Sequence, residues 1–236
     1  MLSYVSAKNK ILQYIKTNAL KAGDRLPTEL ELSEQLDISR LTLREAMNAL
    51  KSDGMVHSVQ GKGTFVACDY DHIADSLNSN SSVTEMIESA GYKPGVALFE
   101  KKLIRADECI AKQLNIQAGT DVLMCSRIRL ADNDPVVYSM DYLAPQLATE
   151  FLSITDETIS LYTFIEEQCG IQIGMSTTEL IPTVADGDLS KMLNVDVGAP
   201  LLTFRATVND VFGAPLVYAR EYFRPDKFKF VVTRGR

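Results

Sequence analysis

The sequence predicts an α+β protein in two parts: a short helical segment closed by a hairpin, then a larger domain with an antiparallel sheet flanked by helices. Three observations predict it. The front of the chain carries helical apolar spacing and helix caps that give way to two short strands around a glycine-rich tip. A stretch poor in large apolar residues, CDYDHIADSLNSNSS at 68–82, then suits a linker. Beyond it the chain repeats itself. AKQLNIQAGTDVL (111–123) matches SKMLNVDVGAPLL (190–202) at an offset of 79, and PVVYSMDYLAP (135–145) matches PLVYAREYFRP (215–225) at an offset of 80.

A chain of 236 residues with 46% hydrophobic residues has ample material for two cores. No run approaches the roughly 18 apolar residues of a spanning helix, and MLSYVSAKNK lacks the regions of a signal peptide. The expectation is a soluble, cytoplasmic protein with no membrane contact. Cys68, Cys109, Cys125 and Cys169 are scattered, with no CxxC pair, so reduced thiols are expected and neither a disulfide framework nor a metal site. The net charge of −7 is unevenly divided. Residues 1–68 hold nine Lys/Arg and seven Asp/Glu, giving +2, and the remainder hold fifteen and twenty-four, giving −9.

Within the front segment, Ile11, Leu12, Ile15 and Ala19 share a helical face, which predicts a helix over 3–20. Gly23, Asp24 and Pro27 end it. Thr28 with Glu31 is a capping-box pattern starting a second helix to about Leu36, with Leu32 and Leu36 as its buried pair. Ser39 is a good N-cap for a third helix to Ser52, whose buried face is Leu43, Ala46, Met47 and Leu50. Arg40, Arg44, Asn48 and Lys51 are left as a polar, basic stripe. Two short helices with such a stripe at the start of the second outline a helix-turn-helix. Strands at 55–59 and 64–66 around Gly61-Lys62-Gly63 add a hairpin whose basic tip could reach phosphates or the minor groove.

In the second domain the repeated unit is a helix, a glycine-containing turn and two strands. Two copies pair into one antiparallel sheet with quasi-twofold symmetry. Tyr138 and Tyr218 occupy matching positions, as do Asp141 and Glu221. Matched acids serve either as fold-symmetric surface groups or as ligand contacts. Arg127 and Arg129, two apart in a predicted strand, project from one sheet face. They suit a phosphate or carboxylate through bidentate hydrogen bonds, or else surface salt bridges with the domain's many acids.

LPTELELSEQLDISRLTLREAMNALKSDGMVHSVQGKGTFV resembles the winged helix-turn-helix of the GntR family of bacterial transcription regulators. The resemblance implies DNA contacts from Ser39, Arg40, Thr42, Arg44, Gln60 and Gly61, with Lys62 at the wing tip. Two positions depart from the family pattern. Leu30 follows the Glu of the second helix where a polar residue is usual, and Leu41 replaces a small polar residue, so Leu41 is expected to touch a thymine methyl. SSVTEMIESAGYKPG, RIRLADNDPVVY, SLYTFIEEQCG and GAPLVYAREYFRPDKFKF resemble the UTRA effector-sensing domain of the HutC subfamily, a fold related to chorismate lyase. That resemblance implies an anion-binding set of Ser82, Arg127, Arg129, Ser160 and Tyr162. The subfamily's sugar sensors often carry a glutamate where this chain has Ser139, and Asp141 and Glu221 could supply acids instead.

The expected domain limits are 1–68, a linker over 69–82, and 83–236. The expected function is a repressor that binds a pseudo-palindromic operator on double-stranded DNA as a homodimer and responds to a small metabolite such as a sugar phosphate. No cofactor, metal or catalytic residue is expected. Two alternatives stand beside it: a lyase-like enzyme fused to a DNA reader, and a DNA-binding protein whose second domain only dimerises. Against the enzyme, His57 and His72 are the only histidines, and no HExxH, P-loop or dinucleotide fingerprint occurs.

Overall fold

The computed structural model describes residues 4–52, 54–67, 73–77 and 80–232. In chain order its elements begin with α1 (Tyr4–Thr17), α2 (Glu29–Gln35), α3 (Arg40–Ser52), β1 (Val56–Val59), β2 (Gly63–Val66), β3 (Ile73–Ser76), α4 (Val83–Ser89) and β4 (Pro94–Arg105). There follow α5 (Glu108–Leu114), β5 (Asp121–Ala131), β6 (Asp134–Leu143), α6 (Pro145–Ser153) and the short α7 (Leu161–Thr163), which runs into a π-helical turn, Phe164–Gln168. The chain ends with β7 (Ile173–Val184), α8 (Gly187–Leu193), β8 (Pro200–Asp210), β9 (Pro215–Phe223) and β10 (Phe228–Val231). Two compact units result, Met1–Lys93 with Phe228–Arg236, and Pro94–Lys227.

In the first unit Ile11, Leu12 and Ile15 of α1 pack with Leu32, Leu43, Ala46, Met47 and Leu50 in one core. The reciprocal capping box forms as the sequence predicts: Glu31 N donates to Thr28 Oγ1 at 3.3 Å and Thr28 N to a Glu31 carboxylate oxygen at 2.7 Å. Ala19 does not join the core. The helix stops at Thr17 and Ala19 is exposed at a φ of 52°, because the chain must reverse there. The hairpin β1–β2 gains a third backbone partner that the sequence pattern did not reveal. Gly23 N donates to Val66 O, Val66 N to Asp24 O and Leu26 N to Thr64 O, at 2.9, 2.9 and 2.8 Å.

The linker expectation needs correction. Residues 68–72, with Cys68 and His72, lie outside the described residues, but Ile73–Ser76 is a strand. It pairs in parallel with β10, from Ile73 opposite Phe228 to Ser76 opposite Val231. The division between units falls at Lys93/Pro94 rather than within 69–82. Composition misleads here because backbone pairing with a distant strand needs no apolar side chains. α4 also belongs to the first unit, where Lys16 Nζ donates to Ala90 O at 2.6 Å and lies 3.6 Å from the Tyr92 ring centroid.

The second unit is a six-stranded antiparallel sheet in the order β4-β5-β6-β9-β8-β7. Each half is strand, helix, strand, strand, and the halves join between β6 and β9. The repeat extends to the helix ends. Asp107 and Asp186 are side-chain N-caps, and Asn115 and Asn194 close α5 and α8 in the left-handed conformation at φ of 52° and 51°. Helices α5 and α8 cover one sheet face, where Tyr142–Tyr218 and Tyr138–Tyr222 stack at 5.8 and 6.1 Å. The opposite face packs against α6, α7 and the π-helical turn around Phe151, Phe164 and Leu143.

Candidate functional site

The polar stripe on α3 lies on the surface. Ser39, Arg40, Leu41 and Arg44 are exposed, Leu41 to 71%, while Thr42 is half-buried. Ser39 Oγ caps the helix by accepting from Thr42 N at 3.2 Å and pairs with Thr42 Oγ1 at 2.7 Å. Arg44 Nε donates to Glu29 at 3.4 Å, an exposed contact that steadies the side chain and adds little stability. At the hairpin tip Gln60, Gly61 and Lys62 are exposed, with Gly61 at a φ of 74°. Gly63 sits at 118°, and a Cβ there would come within 2.7 Å of Arg25 Nε. Arg25 is thus a cation beside the wing that sequence reasoning missed, because the 23–26 segment read only as a helix breaker. Leu30, on the first turn of α2, is 45% exposed.

The second constellation lies on the sheet face that packs against α6 and α7. Cross-strand pairing sets Arg127 beside Ser139 and Arg129 beside Val137. Asp141 and Glu221 match in the repeat but are not paired across strands. Asp141 sits opposite Ala219 and Glu221 opposite Ser139, so the acids occupy diagonal positions on the face that carries the arginines. Arg127, Arg129, Ser139 and Asp141 are all buried. Arg127 Nη2 donates to Asp141 at 2.9 Å, Arg127 Nη1 to the Ile159 carbonyl at 3.2 Å, and Ser139 Oγ to Asp141 at 3.3 Å. The alternative of surface salt bridges for these arginines does not hold, because both members of the Arg127–Asp141 pair are buried.

Burial is the largest influence on Arg127 and opposes its charge, yet the neighbouring groups together, Asp141 foremost, leave the guanidinium pKa raised. Arg129, penalised by burial and by Arg127, is lowered to about 10 and stays charged. Glu221 is partly buried; desolvation and then Asp141 push its carboxyl up to about 8, against the pull of the two arginines. Near neutral pH the cluster therefore holds two cations and one anion, an excess of one positive charge. Burial also raises the neighbouring Cys125 thiol to about 12, so it takes no charge.

Arg127 Nε and Ser160 Oγ are buried here without a hydrogen-bond partner. Ser160 stands at the start of α7, next to the Ile159 carbonyl that Arg127 grips. An unmet donor and hydroxyl beside excess positive charge can receive an anion. Tyr162 packs against the apolar core beneath α7. Ser82 belongs to the first unit, where its Oγ accepts from Glu85 N at 3.3 Å as the N-cap of α4. Sequence reasoning missed the Ile159 carbonyl, which no side-chain pattern can signal.

Family models match both units: residues 3–66 match the bacterial regulatory proteins of the gntR family, and residues 89–229 match the UTRA domain. The HTH-type transcriptional repressor NagR of Bacillus subtilis is 30% identical over 228 residues, covering 97% of this chain and 93% of NagR. The chain belongs to the gntR family of regulators. This gntR-family chain is also 27% identical over 233 residues to the mannosyl-D-glycerate transport/metabolism system repressor MngR of Escherichia coli, with 99% and 96% covered. Among solved structures, the possible transcriptional regulator YydK of Bacillus subtilis covers both chains fully, with a TM-score of 0.66 at 24% identity, a likeness of fold. The gntR-family chain is a ligand-responsive, DNA-binding transcription regulator: the front helices are its DNA reader and the UTRA domain takes the small-molecule effector. No helix among the described residues is long and apolar enough to cross a membrane.

Proposed function

We propose that this regulator is a cytoplasmic repressor of the HutC subfamily that binds a pseudo-palindromic operator as a homodimer, and that its effector is a polar anion such as a sugar phosphate or sugar acid. The observation that carries the effector class is the buried Arg127–Arg129 pair, with Arg127 Nε and Ser160 Oγ unmet. A dianion or monoanion there gains charge-assisted hydrogen bonds in a site already desolvated. Ser139, Asp141 and Glu221 would face the hydroxyls or an amine of the same molecule. The name of the relative MngR, which refers to a glycoside bearing a carboxylate, agrees with that class. Exposed Arg40, Arg44 and Lys62, with half-buried Thr42, supply the base and phosphate contacts. Control follows from coupling: an effector that binds one domain arrangement better than another shifts the spacing of two recognition helices, and with it operator affinity. The cluster acts in recognition, with no turnover of the effector.

The test is a thermal-shift panel of sugar phosphates, sugar acids and amino sugars. A matching effector at about 100 times its Kd should stabilise the folded chain by about 2.7 kcal/mol, and Arg129→Ala should abolish the shift. A broad panel without any stabilisation would overturn the sensor reading and favour a purely dimerising domain.

A further inference from the structure

The segment between α6 and α7 is pinned to the sheet by two cations, and only one of them belongs to the arginine cluster. At its far end Arg127 Nη1 holds the Ile159 carbonyl at 3.2 Å. At its near end Lys101, on β4, directs Nζ to three carbonyls at the end of α6: Phe151 at 3.2 Å, Leu152 at 2.7 Å and Ile154 at 2.6 Å. Three acceptors converge on one ammonium at a helix terminus, where the carbonyls are partially negative and only that of Phe151 has a further backbone donor, Ile154 N at 3.2 Å, among the bonds described. The register explains why these cations act together. Lys101 pairs across strands with Cys125 and Phe99 with Arg127, so Lys101 and Arg127 are one rung apart on the same face. Between the pins, Asp156 accepts from Thr158 N and Oγ1 at 2.9 and 2.7 Å, folding the exposed middle into a local turn.

We infer that Lys101 is a positioning residue for the effector site: by fixing the end of α6 it places the 154–160 strap so that the Ile159 carbonyl orients Arg127 and the Ser160 hydroxyl faces the bound anion. Lys101 itself does not touch the effector. Its carbonyl grip fixes where the strap begins, and the strap is short enough that this determines where Ser160 lies. With the ammonium gone, the carbonyls of Phe151, Leu152 and Ile154 turn to water, the α6 terminus frays, and both the Ile159 contact and Ser160 lose their fixed places. The cost then appears as lost anion affinity, because a preorganised site becomes one that must be ordered on binding.

The inference rests on the anion-site reading proposed above, and the experiment separates the two. Inorganic phosphate is titrated calorimetrically into the full chain, its Lys101→Met and Lys101→Arg variants, Ser160→Ala, and the Lys101→Met/Ser160→Ala double variant. Lys101→Met should weaken phosphate about tenfold, and Lys101→Arg, which keeps a cationic donor, should recover most of that. The double variant should bind no more weakly than the weaker of the two single variants, since the loss of Lys101 already removes what Ser160 contributes. Amide hydrogen exchange over 154–160 should quicken in Lys101→Met without phosphate. If Lys101→Met is too unstable to titrate, Lys101→Gln carries the same cycle. Wild-type affinity in the uncharged variants, or losses that add in the double variant, would overturn the positioning role while leaving the anion site standing. A wild type that binds no phosphate overturns both.

Discussion

Met140 and Arg220 are each other's counterparts in the repeat, 80 residues apart, and also direct cross-strand neighbours. The pseudo-twofold axis of the sheet therefore passes between them, and every pairing across β6 and β9 maps onto another: the Tyr138–Tyr222 stack becomes Tyr218–Tyr142. The symmetry stops at charge. Ala206 and Val208 take the places of Arg127 and Arg129 beside their own β9 partners, Ala219 and Val217. Asp141 thus has an arginine from its own half, whereas Glu221 has none, and burial followed by the charge of Asp141 pushes the carboxyl of Glu221 upward.

Removing Arg127 leaves Asp141 buried without its cation. Arg127→Ala should cost about 3–5 kcal/mol of folding stability, and Arg127→Met combined with Asp141→Leu should cost much less, because the paired replacement leaves no orphaned charge. Urea midpoints of the single and paired variants decide this. A single variant as stable as wild type would contradict the buried-pair account.

Glu221 ties stability and binding to pH. Its folded pKa of about 8 lies above its ordinary 4.5, so between these values the native state holds a proton that the unfolded chain has lost. Its contribution is fully present below about 4.5 and fades as pH rises through about 8. Stability should fall across that window, and Glu221→Gln should flatten the fall. Anion affinity should also weaken above about pH 8, as the excess positive charge is cancelled. Denaturation and titration at pH 5, 7 and 9 give the comparison.

Arg40→Ala with Arg44→Ala should weaken operator binding and, if both arginines neutralise phosphates, lower the slope of log K against log salt by about 2 per subunit. A slope that does not change while affinity falls would move both arginines from phosphate to base contacts. Unchanged affinity would remove α3 from the interface.

Leu41, 71% exposed between two arginines, should read a thymine methyl. Replacing that thymine by deoxyuridine, which deletes only the methyl group, should cost the wild type several-fold in affinity and Leu41→Ala nothing. Binding by the wild type that is indifferent to every such replacement would exclude the contact.

Much of this was legible in the sequence, for local reasons. The Thr28–Glu31 box, the Ser39 cap and the buried Leu43–Leu50 stripe are read from residues a few positions apart, and all three are formed. The internal repeat disclosed the two halves of the sheet because matching strings report matching folds. Distant backbone partners were not legible. The third wing segment at 23–26, the β3–β10 pair and the Ile159 carbonyl all depend on main-chain groups that every residue carries. The diagonal placement of Asp141 and Glu221 was also hidden, since a repeat offset gives equivalence but not register.

The β3–β10 pairing bears on how the protein is made. The chain leaves its first unit at Lys93 and returns to it only at Phe228, so on the ribosome the sensor is synthesised before the strand that finishes the reader's unit. A message broken anywhere in the sensor would release a reader's unit with β3 uncovered, an open strand edge prone to pairing with other chains. Completion of that unit thus also marks that the whole sensor has been translated.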